Sequence, residues 1–175
     1  MKKIPLFAAI AIAAILSCEK SKEIVKGDTV PKFSITSVEG ETVKSEEFKG
    51  EYNLILFFTT WCPGCQMELP IVQSLYSEYK DVPNINFMAI AREQSSEEIA
   101  PFWQEKKYTM PLFADEDRSV YSKFAPVSIP RIYLVGPDGK VAYNTIGYNE
   151  NETKTLIKMI REIAKNQKTA HGKFF

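Results

Sequence analysis

The sequence predicts an α/β fold in which a mixed central sheet is flanked by helices. Two continuous apolar runs, Asn53–Phe58 and Asn86–Ala91, are too short for helices and are typical of strands buried on both faces. Each run is followed by a predicted helix, and the turn residues Gly136–Gly139 indicate a β-hairpin. Strands that alternate with helices and end in a hairpin plus a helix are typical of this class.

The first part of the domain contains a predicted β-hairpin and the first long helix. Apolar alternation over Phe33–Val38 predicts a strand, and Glu41–Lys44 is its expected partner. A helix is predicted from about Cys62 to about Lys80, because its apolar residues are spaced to face a core. Pro70 lies inside this helix and predicts a kink.

A helix–strand unit and a hairpin–helix unit complete the predicted domain. The segment Ser95–Lys107 opens with serines and early acidic residues, which predict a capped helix, and Pro111–Ala114 is a short strand. A short helix is expected over Ser119–Phe124. The hairpin strands are Arg131–Val135 and Lys140–Thr145. The apolar spacing from Glu152 to Lys165 predicts a final amphipathic helix.

Residues 1–17 have the order of a secretory signal peptide. Two lysines precede an apolar run of eleven residues, Leu6–Leu16, which is too short to span a bilayer as a helix. The segment Ile15–Cys18 resembles the lipobox of bacterial lipoproteins, in which the cysteine is lipidated and becomes the mature N-terminus. An uncleaved membrane anchor is the alternative interpretation.

The chain therefore divides into four predicted parts. A lipoprotein signal peptide occupies residues 1–17, a charged tether residues 18–29, the folded domain residues 30–165 and a flexible tail residues 166–175. This division predicts a periplasm-facing protein of the cell envelope, attached to the inner or outer membrane through lipidated Cys18.

Charge balance and histidine content exclude several kinds of function. The 22 Lys and Arg residues equal the 22 Asp and Glu residues in number and form no basic cluster, which argues against nucleic-acid binding. The single histidine, His171, lies close to the C-terminus, so catalytic triads and multi-histidine zinc or iron sites lack their residues. We expect no metal and no cofactor apart from redox-active cysteines.

Cys62 and Cys65 carry the chemistry that remains. They lie between a predicted buried strand and a predicted helix start, where the helix dipole and free N–H groups favour a thiolate. Cys62 is the expected nucleophile, and Cys65 then attacks the mixed disulfide formed with a substrate. A zinc site would need two more soft ligands. A purely structural disulfide closing so short a loop would remove little chain entropy.

The sequence from Val30 to Ala164 resembles the thioredoxin-like superfamily, and within it the TlpA/ResA type of membrane-tethered thiol-disulfide oxidoreductases. The matching segments are Pro31-Lys32-Phe33-Ser34, Gly40, Gly50, Trp61-Cys62-Pro63-Gly64-Cys65, Glu68-Leu69-Pro70, Ile129-Pro130 and Asp138-Gly139-Lys140. The resemblance implies a thioredoxin-like fold with an N-terminal β-hairpin. The helix–strand unit between Ser96 and Ala114 resembles the insertion that separates this group from plain thioredoxin.

The resemblance also implies roles for residues around the two cysteines. Pro130 is expected to be cis and to pack beside the thiols, where its backbone meets an extended substrate. Glu68 matches an acidic residue that relays protons or tunes the thiols, and an exposed first-turn carboxylate is the alternative. The expected substrate-binding surface consists of Trp61, Pro63, Gly64, Ile129 and Arg131.

Three positions depart from the pattern of the family. Leu56 stands where plain thioredoxin has a buried aspartate, so a proton acceptor must come from elsewhere. The order Pro63-Gly64 is the reverse of the usual thioredoxin dipeptide. Arg131 follows the expected cis-proline in place of a small polar residue; it either lies beside the thiolate, binds an acidic substrate, or is a solvated residue at a strand end.

The resulting hypothesis is a monomeric reductase of extracytoplasmic protein disulfides that is recharged by a membrane electron donor. Its substrates are apocytochrome thiols, mispaired envelope disulfides or a dedicated partner. A disulfide-introducing oxidase and a binding lipoprotein without enzymatic activity are alternatives. A peroxiredoxin-type peroxidase is another, because Thr59 stands three residues before Cys62, although Ile55 occupies the position where such enzymes need proline.

Overall fold

The structure, a computed structural model, describes residues 23–169 and the backbone of residues 170 and 171. The predicted signal peptide, the lipidation site Cys18, the first part of the tether and residues 172–175 lie outside the described residues. Within the described residues no helix is long and apolar enough to cross a bilayer.

Seven strands and four α-helices are assigned in the described part of the chain. The strands are β1 (Ser34–Thr36), β2 (Thr42–Lys44), β3 (Tyr52–Phe58), β4 (Ile85–Arg92), β5 (Leu112–Asp115), β6 (Arg131–Val135) and β7 (Val141–Ile146). The helices are α1 (Pro63–Tyr79), α2 (Ser96–Lys106), α3 (Tyr121–Phe124) and α4 (Glu150–His171), with a 3-10 turn at Ser45–Phe48. Each predicted strand and helix is present, with shifted ends.

The central sheet is mixed, as the sequence predicts, and has the order β5-β4-β3-β6-β7. Strand β3 pairs in parallel with β4 and antiparallel with β6. Strands β1 and β2 form the separate N-terminal hairpin. Because β3 lies in the middle of the sheet and has helices near both faces, its apolar run is buried on both sides.

The two faces of the sheet carry separate apolar clusters. Leu54, Leu56 and Phe58 of β3 point to one face, where α1, α2 and α4 pack. Ile55 and Phe57 point to the other face, which is covered by α3, the 3-10 turn and the N-terminal segment. We call these the α1/α4 face and the α3 face. The alternation of side chains along a strand therefore decides on which face each residue acts.

The prediction of a tether over residues 18–29 is wrong for its described part. Ile24 is buried and its amide donates to the Phe124 carbonyl oxygen at 2.8 Å. The Gly27 amide donates to Val141 at 2.8 Å, and Thr29 forms a β-bridge with Lys140. These residues add an extended segment to the edge of the β6–β7 hairpin, so the folded domain begins before residue 30.

The predicted boundary between the last helix and a flexible tail is also wrong. Helix α4 continues past Lys165 to His171. Beyond the buried Ala164, Gln167 is half-buried and its side-chain oxygen accepts a hydrogen bond from Asn84 at 3.5 Å. This contact holds the added turn against the domain, although its residues are polar and gave no apolar signal.

Candidate active site

Strand β3 and helix α1 bring the reactive cysteine to the carboxyl end of the sheet. Cys62 is the N-cap residue of α1, and its sulfur accepts a hydrogen bond from the Cys65 amide at 3.4 Å. Pro63 follows in the first turn, where a missing N–H costs no helix bond. The two sulfurs are not joined by a disulfide bond in this structure. The Cys62 sulfur therefore lies at the positive end of the helix dipole, as the sequence predicts.

Cys65 is the more deeply buried of the two cysteines. Its exposed fraction is 0%, against 9% for Cys62, and it belongs to the apolar cluster of the α1/α4 face. Burial is the largest cause of a raised pKa for the Cys65 thiol. Cys62 is thus the more accessible of the two sulfurs, which is the order of exposure expected if Cys62 attacks and Cys65 resolves.

The peptide bond between Ile129 and Pro130 is cis, and it lies beside the cysteines. The Cys62 thiol donates to the Ile129 carbonyl oxygen at 3.8 Å. A Cβ atom on Gly64 would lie 3.2 Å from Pro130 Cδ and 3.5 Å from Tyr148 Cβ. Gly64 and Pro130 are therefore in close contact, which the resemblance implies for the proline. Tyr148 is a neighbour that the sequence did not indicate.

The loop between β3 and α1 is held by two glutamine side chains. The Thr60 amide donates to Gln94 Oε1 at 2.8 Å, and Gln94 Nε2 donates to Thr60 Oγ1 at 2.8 Å. Gln66 Nε2 donates to the Thr60 carbonyl oxygen at 2.7 Å. The next residue, Trp61, is 66% exposed. Sequence reasoning missed both glutamines, and the one signal for Gln94 was its position just after the strand neighbouring β3.

Glu68 is buried, which excludes the alternative of an exposed first-turn carboxylate. It is 1% exposed and lies one helical turn after Cys65 on the same face of α1. Thr153 Oγ1 of α4 donates to Glu68 Oε1 at 3.1 Å. Burial raises the Glu68 pKa to about 6, and the hydrogen bond from Thr153 opposes this shift. Thr153 lies three residues before buried Leu156, a spacing that marked it as core-facing.

Arg131 lies on the opposite face of the sheet from the cysteines. Its side chain is 2% exposed and forms an ion pair with Glu23 at 2.7 Å. Tyr133, two residues along β6, belongs to the apolar cluster of the α3 face. Arg131 therefore neither lies beside the thiolate nor offers its guanidinium to an acidic substrate, and it is not solvated. The prediction that Arg131 binds substrate is therefore wrong, because its side chain is buried and paired with Glu23.

Residues 26–144, more than half of the chain, match the model of the AhpC/TSA family. The chain belongs to the AhpC/TSA family. Thiol-disulfide oxidoreductase ResA of Bacillus cereus is 25% identical over 163 residues, which cover 87% of this chain and 94% of the relative. This chain is thus similar in sequence to a named thiol-disulfide oxidoreductase over most of its length.

Solved structures agree with this membership. A candidate protein disulfide isomerase from Bacteroides thetaiotaomicron superposes with a TM-score of 0.77 at 26% identity, covering 85% of this chain and 95% of the other. StoA from Bacillus subtilis superposes with a TM-score of 0.62 at 24% identity, covering 73% and 94%, and shows the fold alone. The predicted thioredoxin-like fold, the ResA-type resemblance and the thiol-disulfide oxidoreductase activity are confirmed. The peroxidase alternative is not favoured.

Glu68→Gln is predicted to change how stability depends on pH. The Glu68 pKa is about 6 in the folded chain against 4.5 for a free carboxyl. The folded state therefore binds this proton more tightly than the unfolded chain does. The stabilisation that protonated Glu68 gives the folded state is fully present below about pH 4.5 and is lost as the pH rises through about 6. A difference of this size corresponds to about 2 kcal/mol. We expect wild type to lose about that much unfolding free energy relative to the variant between about pH 4 and 7.5.

Urea unfolding across this pH range measures the effect. Glu162→Gln, an exposed carboxylate on α4, is the matched control and is expected to run parallel to wild type. Parallel pH profiles for wild type and Glu68→Gln would show that Glu68 titrates normally and contradict the burial argument.

Proposed function

We propose that the protein reduces disulfide bonds of extracytoplasmic proteins by dithiol–disulfide exchange at Cys62 and Cys65. The observation that carries the proposal is the arrangement at the start of α1. A reachable sulfur caps the helix, a second sulfur lies buried one turn behind it, and the Ile129 carbonyl oxygen lies 3.8 Å from the first. A substrate chain that extends along residues 129 and 130 would present its disulfide to Cys62.

The reaction proceeds in two exchanges. The Cys62 thiolate attacks one sulfur of the substrate disulfide, a new S–S bond forms, and the second substrate sulfur leaves as a thiolate that takes up a proton. The Cys65 thiol then loses its proton and attacks Cys62 Sγ, which expels the first substrate sulfur. Two electrons pass from the dithiol to the substrate, and the product is a Cys62–Cys65 disulfide.

Glu68 is proposed to take the proton that Cys65 must lose. Burial disfavours the Cys65 thiolate, so the second exchange needs a nearby base. Leu56, the position of a buried aspartate in plain thioredoxin, belongs to the same apolar cluster and offers none. The Glu68 pKa of about 6 leaves the carboxylate ionised at neutral pH and able to accept a proton.

The reducing direction is proposed from the charge around the dithiol. A strongly oxidising pair is one whose reduced form receives extra stabilisation. Here Arg131, the cation that follows the cis-proline, lies on the other face of the sheet and is paired with Glu23. Cys65 is fully buried among apolar residues. Neither feature adds to the stabilisation that the start of α1 gives the Cys62 thiolate, and burial opposes the Cys65 thiolate, so both favour a low reduction potential.

An exposed apolar surface surrounds the reachable sulfur and is proposed as the docking surface. Trp61 is 66% exposed beside Cys62. Pro63 is exposed, whereas Gly64 and Ile129 are half-buried. This surface fits an unfolded or locally extended polypeptide better than a small charged molecule, since apolar and backbone groups dominate it.

Membrane attachment through Cys18 and a location in the cell envelope are part of the same proposal. Cys18 stands five residues before Glu23, where the described structure begins. Five extended residues reach roughly 17 Å, so a lipidated Cys18 would hold the domain close to the bilayer. A membrane protein would then return two electrons to the oxidised pair. We propose that the protein acts as a monomer without metal, organic cofactor or nucleic acid.

The reduction potential of the Cys62–Cys65 pair tests the direction of electron flow. We expect a value near or below about −230 mV in dithiothreitol or glutathione buffers, because the cation that follows the cis-proline points away from the dithiol and Cys65 is buried among apolar residues. Alkylation of thiols, counted by mass spectrometry, gives the ratio of the two forms. A value near about −120 mV would identify a disulfide-introducing oxidase instead.

Cys65→Ser is predicted to trap the mixed disulfide. The variant keeps the attacking Cys62 but lacks the thiol that resolves the intermediate, so a covalent adduct with oxidised insulin should accumulate. Intact-mass analysis under non-reducing conditions detects it. In the matched variant Cys62→Ser, the remaining Cys65 is 0% exposed and should form no adduct. Equal adducts in both variants would reverse the assigned roles.

Cys18→Ser is predicted to release the protein from the membrane fraction. Removal of the thiol removes the site of lipid attachment and with it the buried acyl CH₂ groups, each of which contributes about 0.8 kcal/mol of membrane affinity. Fractionation followed by immunoblotting measures the distribution, with Cys62→Ser as a control that should stay with the membrane. A Cys18→Ser protein that remains in the membrane would favour the uncleaved anchor.

A further inference from the structure

Arg131 is an unusual residue to bury directly after the active-site proline. It is the first residue of β6 and one of the largest fully buried side chains in the described structure. A guanidinium stays charged in a protein interior, so it requires hydrogen-bond acceptors and an anion around it. The positions of those groups show what Arg131 holds in place.

The guanidinium donates hydrogen bonds to the loop that precedes Pro130. Nε donates to the Val127 carbonyl oxygen at 3.1 Å and to that of Ser128 at 3.3 Å, while Nη2 donates to Val127 at 2.9 Å. The hydroxyl of Tyr121 also donates to the Ser128 carbonyl oxygen. Residues 127 and 128 immediately precede Ile129, whose carbonyl oxygen lies against Cys62. Arg131 therefore fixes the loop from the face opposite to the thiols.

The anion that balances this buried charge comes from the N-terminal segment. Glu23 Oε1 lies 2.7 Å from Arg131 Nη1. The Glu23 side chain is 37% exposed, so it is the accessible half of the pair. The next residue, Ile24, is buried and bonded to Phe124, which keeps Glu23 in place. If Glu23 is removed, the guanidinium remains buried without its counter-ion and the loop loses its fixed support.

We propose that Glu23 and Arg131 form a positioning pair that holds the loop of residues 127–130 in the shape required for docking polypeptide substrates. The pair acts through the backbone of the loop and does not touch the reacting sulfurs. It therefore determines how well an extended chain binds, and it leaves the reactivity of Cys62 toward small disulfides unchanged. This inference rests on the proposed function, since it assigns the pair to the binding of protein substrates.

Glu23→Gln is the mild variant that tests the pair in the full chain. The Gly147 amide donates to the Pro130 carbonyl oxygen at 2.8 Å, and we expect its hydrogen exchange to accelerate by roughly tenfold, because the loop opens more often without the counter-ion. With insulin as substrate and dithiothreitol as reductant, KM should rise roughly three- to tenfold while kcat changes less than about twofold. The rate with cystamine, a small disulfide, should stay at the wild-type value.

Two further variants make the comparison specific. Glu39→Gln removes an equal charge from the exposed turn of the β1–β2 hairpin and should behave like wild type. Arg131→Met removes the other half of the pair, and Glu23→Gln should have no further effect in that background. If Arg131→Met does not fold, the comparison of Glu23→Gln with Glu39→Gln still tests whether Glu23 positions the loop.

The outcomes separate this inference from the proposed function. Unchanged exchange in Glu23→Gln would overturn the positioning role, and faster exchange with an unchanged KM for insulin would overturn the docking role. A full effect of Glu23→Gln in the Arg131→Met background would show that Glu23 acts on another group and would also overturn the pair. A wild-type protein that does not reduce insulin would refute the proposed function, and hydrogen exchange would still decide the positioning role.

Discussion

The hydrogen bond from the Cys65 amide to the Cys62 sulfur ties the chemistry of this protein to a helix end. Because the sulfur is the N-cap acceptor of α1, its position depends on the position of the helix. The helix is positioned by Leu69 and Val72, which are buried against the sheet. The apolar packing of the α1/α4 face thus determines where the reacting atom lies.

Two buried ionisable side chains flank the site, and their hydrogen-bond and charge partners differ. Glu68 has the Thr153 hydroxyl as its partner, and its pKa rises to about 6. Arg131 has a carboxylate and two carbonyl oxygens, and it remains charged. The first group can change protonation during a reaction cycle, whereas the second cannot. This difference supports the proposed proton-handling role of Glu68 and the proposed structural role of Arg131, on opposite faces of one sheet.

Sequence patterns predicted the parts of the structure that depend on local order. The apolar run before Cys62 and the turn signals of the last hairpin located the central strands and the motif. The surroundings of Glu68 could not be predicted, because Thr153 is 85 residues away in sequence. The direction of Arg131 depended on the strand register, since a shift of one residue moves a side chain to the other face. The last turns of α4 are polar, so periodicity did not reveal them.

The N-terminal segment does more than connect the domain to what precedes it. Its backbone pairs with the β6–β7 hairpin through Gly27 and Thr29, and the ion pair of Glu23 with Arg131 supports the loop of Pro130. The proposed anchor at Cys18 would therefore act on a segment that is linked to the loop of residues 127–130 through the ion pair of Glu23 with Arg131. Because Glu23 pairs with Arg131 and Ile24 is buried on the α3 face, the described chain begins on the side of the sheet opposite to the thiols. Under the proposed anchoring, this arrangement would keep Cys62 accessible while the domain stays close to the bilayer.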